Sequence, residues 1–292
     1  MELIKKTNID FMSFRKPAYI ISAIIILISL ISFFTRGLNY GVDFAGGLLL
    51  QYSFDQEISV EEVRSSLADL ALAQSIIQKF SENEVVIRTL RIPDETREAI
   101  KENLTEDIGQ AHLVRIEEVG PAIGADLRRL GVIALIAVIL GILLYVSLRF
   151  EFRPAVTSVL ALAHDGLVVI GILALFQREF TIPVLAAVLT TLGYSINDSI
   201  VIMDRVRENF AMRRREPLCA TLNRSINETL SRTINTSLTT LLPVLALLIF
   251  GGRMLQDFSL TMLIGLLVGT YSTVFIAGAL LVDWEGKKPV RR

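Results

Sequence analysis

The sequence predicts an α-helical integral membrane protein of six transmembrane helices, with a small α+β domain inserted between the first and the second. Three observations lead there. Apolar residues make up 52% of the 292-residue chain and are bunched into long runs, most of them close to or beyond the ~18 residues that a span needs. One stretch, 36–127, has no such run and alternates strand-like with helix-like patterns. The 29 basic and 30 acidic residues almost cancel, so charge offers no argument for a nucleic-acid partner. The single cysteine, Cys219, cannot form an internal disulfide or a paired-cysteine metal site and reads as an incidental free thiol.

A polar leader at 1–16 carries Lys5, Lys6, Arg15 and Lys16, and the first apolar run follows at 17–34. Basic residues before an apolar core also describe a signal peptide. No small-residue cleavage site follows Phe34 and more apolar runs lie downstream, so an uncleaved first helix is expected. Within the insert, 48–54 reads as a strand. Ser59 with Glu62 makes a capping box before a helix through Val63, Leu67 and Leu70. Strands at 76–80 and 85–90 flank the turn Ser81 to Glu84, Asp94 is expected to cap a second helix through Ala99 and Leu104, and 113–119 supplies a last strand. The order βαββαβ predicts a ferredoxin-like domain over 35–127. His112 stands there without a Ser, Cys or carboxylate arrangement and reads as a surface or packing residue. The remaining spans are expected at 128–148, 154–176, 183–203, 233–250 and 258–282, with a basic connector at 204–232 and a basic tail at 283–292. The connections 149–153 and 204–232 and the tail residues Lys287, Lys288, Arg291 and Arg292 outweigh Arg178 and Arg253 on the other side. Both termini are therefore expected in the cytoplasm and the inserted domain outside, although Arg128 and Arg129 pull the other way.

Polar residues inside the spans are where chemistry is expected. Asp198 sits in the fourth, and a carboxylate there costs roughly 2.5–3.5 kcal/mol on insertion scales, so it should face protein or a wet cavity and mark an ion path. Thr191, Tyr194 with Ser195, and Asp198 share a helix face, as do Arg232, Asn235 with Thr236, and Thr239. The depths of Asp198 and Arg232 agree, which allows a pair. His164 and Asp165 lie about 15 Å into the third span. Thr261, Gly265, Gly269 and Thr273 recur every fourth residue, a small-residue face for close packing. Competing readings stand beside these: Asp198 as a structural carboxylate bonded to Ser and Asn neighbours, Arg232 snorkelling to the interface, His164 and Asp165 as helix-packing bonds, and the basic connector as lipid contact.

No phosphate loop, no zincin motif and no nucleophile elbow occurs. The chain therefore reads as neither enzyme nor cofactor carrier, and any energy input must come from an ion gradient or a partner.

Several motifs resemble those of the SecF family of bacterial protein-export membrane proteins, in the same order along almost the whole chain. They are Gly41-Val42-Asp43-Phe44-Ala45-Gly46-Gly47, Val119-Gly120-Pro121, His164-Asp165, Gly193-Tyr194-Ser195-Ile196-Asn197-Asp198, Asp204-Arg205-Val206-Arg207-Glu208-Asn209 and Leu230-Ser231-Arg232-Thr233. Ile123 and Asp126 stand where that family usually has Val and Glu. The resemblance implies a subunit of the resistance-nodulation-division superfamily in the bacterial inner membrane. It would work with SecD at the SecYEG translocon on preprotein substrate, driven by the proton gradient, with membrane lipid around it. It also implies a proton path at Asp198 and Arg232, to which we add as candidates Asn197 of the Asn-Asp pair, Thr236 of the stripe on the fifth span, and Asp165 and His164 of the third. The rival reading is a half-transporter of the same superfamily exporting a small molecule or lipid, and a scaffolding factor comes third.

Overall fold

The computed structural model describes residues 7–72, 75–90, 92–150, 152–212, 216–252 and 255–285. Lys5, Lys6, Arg253 and the basic tail Lys287, Lys288, Arg291 and Arg292 lie outside the described residues. Among the described residues six helices are long and apolar enough to cross a membrane. The chain divides into two compact units, Met1–Asn39 with Ile133–Arg292, and Tyr40–Val132.

Helix α1 runs Arg15–Arg36, preceded by a 3-10 turn, Phe11–Phe14, whose N-cap Asp10 accepts from the Ser13 amide. The leader is more than a polar flank. Phe11 and Met12 are buried against Ile202, Val206, Leu222, Ile226, Val274 and Val282. Asn227 holds the strap by accepting from the Ile9 amide and donating to the Ile9 carbonyl, and Asn223 accepts from the Met12 amide.

The second unit holds α2 (Val42–Ala45), β2 (Gly47–Phe54), α3 (Val60–Ser66), β3 (Ile76–Lys79), β4 (Glu84–Thr89), α4 (Asp94–Asp107) and β5 (Ala111–Val119), after the two-residue strand β1 (Asn39–Tyr40). Its four-stranded sheet has the order β3-β4-β2-β5, antiparallel throughout. Alternation explains the core: Leu48, Leu50, Tyr52 and Phe54 share one face of β2 and pack with Val63, Leu67, Ile77, Ile87, Ile100 and Leu104. Each such side chain contributes about 1.5–3 kcal/mol by burial. On the other face Leu49 meets Val42 and Val86, so β2 is apolar on both sides. The Ser59–Glu62 capping box forms with both bonds present. Asp94 does not cap: Pro93 occupies the N-cap position and makes no side-chain bond, while Asp94 is the first helical residue. There its charge favours the helix N-terminus through the dipole. Gly46 and Gly47 are required by geometry. Both have positive φ, and an added Cβ would lie 2.8 Å from Pro121 Cα at Gly46 and 2.6 Å from the Thr89 carbonyl oxygen at Gly47. Gly124, one turn into the next helix, would likewise meet the Gly46 amide at 2.9 Å.

The other helices are α5 (Pro121–Arg149), α6 (Phe152–Leu175), α7 (Ile182–Met212), α8 (Leu218–Phe250), α9 (Gln256–Ser272) and α10 (Gly278–Glu285), with the short strand β6 (Glu179–Phe180) between α6 and α7. A π-helical stretch, Thr273–Ala277, joins α9 to α10. Three boundaries differ from the sequence expectation. Helix α5 begins at Pro121 rather than 128, because a proline at the first helical position loses no bond and has its φ preset. Helix α7 continues to Met212 and α8 starts at Leu218, so most of the expected connector 204–232 is helical. Its charges are spaced to pair along one helix, as Arg207 with Asp204 at 3.2 Å and Arg205 with Glu208 at 2.7 Å show. Across the hairpin to α8 Arg205 reaches Glu228 at 2.6 Å and Asn209 reaches Glu228 at 2.8 Å, and from the end of α5 Arg149 reaches Asp204 at 2.9 Å.

Small residues let the spans approach closely. Ala18, Ser22, Ser29 and Ser32 form the buried seam of α1, and a Cβ on Gly171 of α6 would fall 2.0 Å from Ser29 Cβ. Gly265 and Gly269 of α9 stand against Thr191 and Ser195 of α7, with hypothetical Cβ contacts of 2.4 and 3.0 Å. One turn further on, Ser199 and Thr273 hydroxyls lie 3.2 Å apart.

Candidate functional site: two linked carboxylates in the helix bundle

Helix α7 turns Thr191, Ser195 and Asp198 inward, as the spacing expects, with Ser199 beside them, whereas Tyr194 of the expected stripe is exposed. Asp198 is 9% exposed and faces a small pocket lined by Tyr194, Ser195, Thr236, Ser237, Gly269 and Thr270. About 10 Å³ of that pocket is open to the centre of a water molecule, about enough for one. Among the described residues the carboxylate makes no ion pair within 4.0 Å, and the expected Asp198–Arg232 pair does not form in this state. Arg232 is exposed on α8, yet its charge is near enough to act on the Asp198 carboxyl. Thr236 spends its hydroxyl proton on the Arg232 carbonyl at 2.9 Å, which leaves its oxygen to the pocket. Asn197 is exposed. Neighbouring residues on a helix point about 100° apart, so adjacency to Asp198 in sequence takes Asn197 away from the pocket.

Asp165, on α6, is the second buried carboxylate, 3% exposed, and its environment is the opposite one. Its Oδ2 accepts from Ser195 Oγ at 2.6 Å and Ser272 Oγ at 2.7 Å, and its Oδ1 lies 2.9 Å from His164 Nδ1. His164 Nε2 lies 3.1 Å from Ser22 Oγ, Ser22 Oγ lies 3.2 Å from the Tyr271 hydroxyl, and that hydroxyl donates to the Ala18 carbonyl at 2.9 Å. A buried polar network this complete holds α1, α6, α7 and α9 in register. Ser22, Tyr271 and Ser272 carried no signal in the sequence, since isolated hydroxyls inside apolar runs are common and their partners lie on other helices. Spacing at i+3 from Gly269, which faces Ser195, is the one clue that could have found Ser272.

Among the described residues no group of three or more His, Cys, Asp or Glu could hold a metal ion. Chemically, the site offers one carboxylate rich in hydrogen-bond donors and one beside an open pocket and a fixed positive charge.

Comparison with known proteins gives the family. Residues 99–287 match the family model described as protein export membrane protein SecD/SecF, C-terminal, and residues 31–58 match the SecD/SecF GG motif. The chain belongs to the SecD/SecF family. Protein translocase subunit SecF of Desulfurispirillum indicum is 45% identical over 288 residues, covering 95% of this chain and 92% of that protein. The crystal structure of SecDF, a translocon-associated membrane protein from Thermus thermophilus, superposes with a TM-score of 0.91 at 39% identity, over 98% of this chain and 40% of that one. A crystal structure of SecDF in super-membrane-facing form matches at 0.70 with 40% identity and the same coverage. The chain thus spans about two fifths of the SecDF chains it matches. The SecD/SecF GG motif includes Gly46 and Gly47, whose close backbone contacts with Pro121 and Thr89 give the two glycines a physical reason. The SecD/SecF C-terminal region contains His164, Asp165, Asp198 and Arg232 together.

Proposed function

We propose that this protein is a SecF-like subunit that pairs with a SecD-like half in the bacterial inner membrane and uses the proton-motive force to assist preprotein movement through the SecYEG channel. The observation that carries the reading is Asp198, a buried carboxylate in a spanning helix that faces a water-sized pocket with Arg232 close by. A carboxylate so placed can take a proton without first breaking a hydrogen-bonded pair, and its loss of charge biases the packing of α7 against α8 and α9. The proton path then comprises Asp198, Arg232 and Thr236 at the pocket, with Asp165 and His164 behind them.

Support for a second half comes from packing. In their most apolar stretches α5 and α8 bury 11% of residues within this chain, against 61% for α6, and α8 leaves Arg232 and Thr239 uncovered. Polar groups on an uncovered helix face inside a membrane require protein rather than lipid. The βαββαβ order and the strand order β3-β4-β2-β5 support a ferredoxin-like domain over 35–127, placed outside by the charge bias that puts both termini in the cytoplasm. The subunit is not an enzyme; it converts a gradient into motion and makes or breaks no covalent bond.

The test is preprotein release from inverted vesicles containing SecYEG, with and without the chain and its SecD-like partner, under an imposed proton gradient. The reading requires release to rise with both subunits and the gradient present. Efflux of a small solute or lipid with no effect on preprotein would replace it with the half-transporter reading.

A further inference from the structure

Resting on the proton-driven reading above, the geometry points to a proton relay that leaves the Asp198 pocket through Ser195 and runs along Asp165, His164 and Ser22 to Tyr271. Ser195 is the junction: its hydroxyl lines the pocket that Asp198 faces, and it donates to Asp165 Oδ2 at 2.6 Å. From there every step is within hydrogen-bond reach, at 2.9 Å from Asp165 to His164, 3.1 Å from His164 to Ser22, and 3.2 Å from Ser22 to Tyr271. Such distances suit proton transfer. The imidazole presents one nitrogen to each side, so a proton accepted at Nδ1 is matched by one released at Nε2. The hydroxyls of Ser195, Ser22 and Tyr271 both accept and donate. A proton leaving the Asp198 carboxyl crosses the single-water pocket to Ser195 Oγ. With Asp165 as the neutral acid donating to His164 Nδ1, the Ser195 proton enters at Oδ2 as the Oδ1 proton passes to Nδ1, the Nε2 proton to Ser22 and the Ser22 proton to Tyr271. The Tyr271 hydroxyl proton turns from the Ala18 carbonyl and leaves to water at this half-buried residue, so that Asp198 is left as the carboxylate and each relay group regains its starting charge.

The route points to the face of the bundle where α1 begins. Ala18 lies one turn into α1, whereas Ser22 lies a turn deeper. The π-helical stretch begins directly after Ser272, where Ser272 donates to Asp165 and Thr273 donates to the Ser195 carbonyl at 3.3 Å. Single π turns inside α-helices are frequent at functional sites, and at the start of this one Ser272 and Thr273 hold α9 to the junction of the relay.

The experiment measures proton flux in proteoliposomes containing the full chain and its SecD-like partner. Wild type is compared with Ser22→Ala, Tyr271→Phe and Asp198→Asn, in H2O and in D2O, after thermal melting and partner co-purification have been checked. Ser22→Ala and Tyr271→Phe each remove one hydroxyl, so a misfolded variant of one leaves the other to decide. The relay requires flux to fall about tenfold in both, less than the roughly 100-fold of a lost acid-base group because water can substitute. It also requires slowing by D2O to grow, since hydron transfer becomes the slow step. A fall in flux with an unchanged isotope effect makes these groups structural and overturns the relay. Wild-type flux in Ser22→Ala and Tyr271→Phe with none in Asp198→Asn overturns the relay and leaves the proton-driven reading standing. Wild-type flux in Asp198→Asn overturns both.

Discussion

Asp198 and Asp165 are buried carboxylates on adjacent helices, and the supply of donors separates them. Asp165 has Ser195, Ser272 and His164 within hydrogen-bond distance; Asp198 has a pocket and a charge. Taking charge into low dielectric costs several kcal/mol per ion unless it is compensated, so the Arg232 charge matters most to the carboxylate with the fewest bonds. Arg232→Ala is expected to cut gradient-dependent preprotein release by about tenfold, the effect of about 1.4 kcal/mol on a rate, while partner co-purification stays at the wild-type level. Release at the wild-type rate would take the arginine out of the mechanism. At this scale the sequence singles out Asp198, Asp165 and His164, because ionisable residues inside apolar runs announce themselves, and the structure buries all three. Asn197, next to Asp198 in sequence, is exposed and does not line the pocket, and the sequence is silent on Ser22 and Tyr271.

Among the elements, legibility tracked the locality of the signal. The Ser59–Glu62 box needs four consecutive residues and forms as read. Proline and arginine-rich stretches are less legible because their meaning depends on the residues they join or pair with. Pro121 opens α5 seven residues before the expected start, and the charges of 204–212 stabilise α7 by pairing along it and across to α8. The capping box yields a pH prediction. Bonds from the Ser59 backbone and side chain hold the Glu62 carboxyl below its usual range. A lowered folded-state value means that the contribution of Glu62 is present above the unfolded value of about 4.3 and is lost as pH falls through the lower folded value. Hydrogen exchange of the first-turn amides of α3 should accelerate, relative to the remainder of the domain, on acidification below about pH 4.3 in wild type and stay flat in Glu62→Gln. Ser59→Ala should cost about 1 kcal/mol at neutral pH, and an unchanged exchange profile in both variants would show that the box contributes nothing.

For the whole molecule, the division into a membrane unit and the unit Tyr40–Val132 means that each has its own core: Leu48, Leu50, Tyr52 and Phe54 with α3 and α4 in one, and Ala155, Ala161, Leu162, Leu192 and Ile196 among others in the second. Six spans were legible from run length alone, and the βαββαβ order from alternation. What covers α5 and α8 was not legible in one chain, because helices that bury only 11% of their most apolar stretches here do not carry in their own sequence the surface that packs on them. Replacing residues 41–119 with a short flexible linker is expected to leave membrane insertion and SecD co-purification intact while preprotein release falls to the level without the gradient. Release at the wild-type rate would reduce the domain to a spacer.

The central claim is that protonation of Asp198 converts the gradient into motion of the helices, and preprotein release from vesicles with and without an imposed proton gradient tests it most directly. Asp198→Asn keeps the size of the side chain and cannot titrate; Asp198→Glu can. The expected result is that Asp198→Asn inserts and pairs normally but releases preprotein at the same rate with the gradient as without it, while Asp198→Glu retains a measurable response. An Asn variant that responds to the gradient as wild type does would contradict the claim and make Asp198 structural.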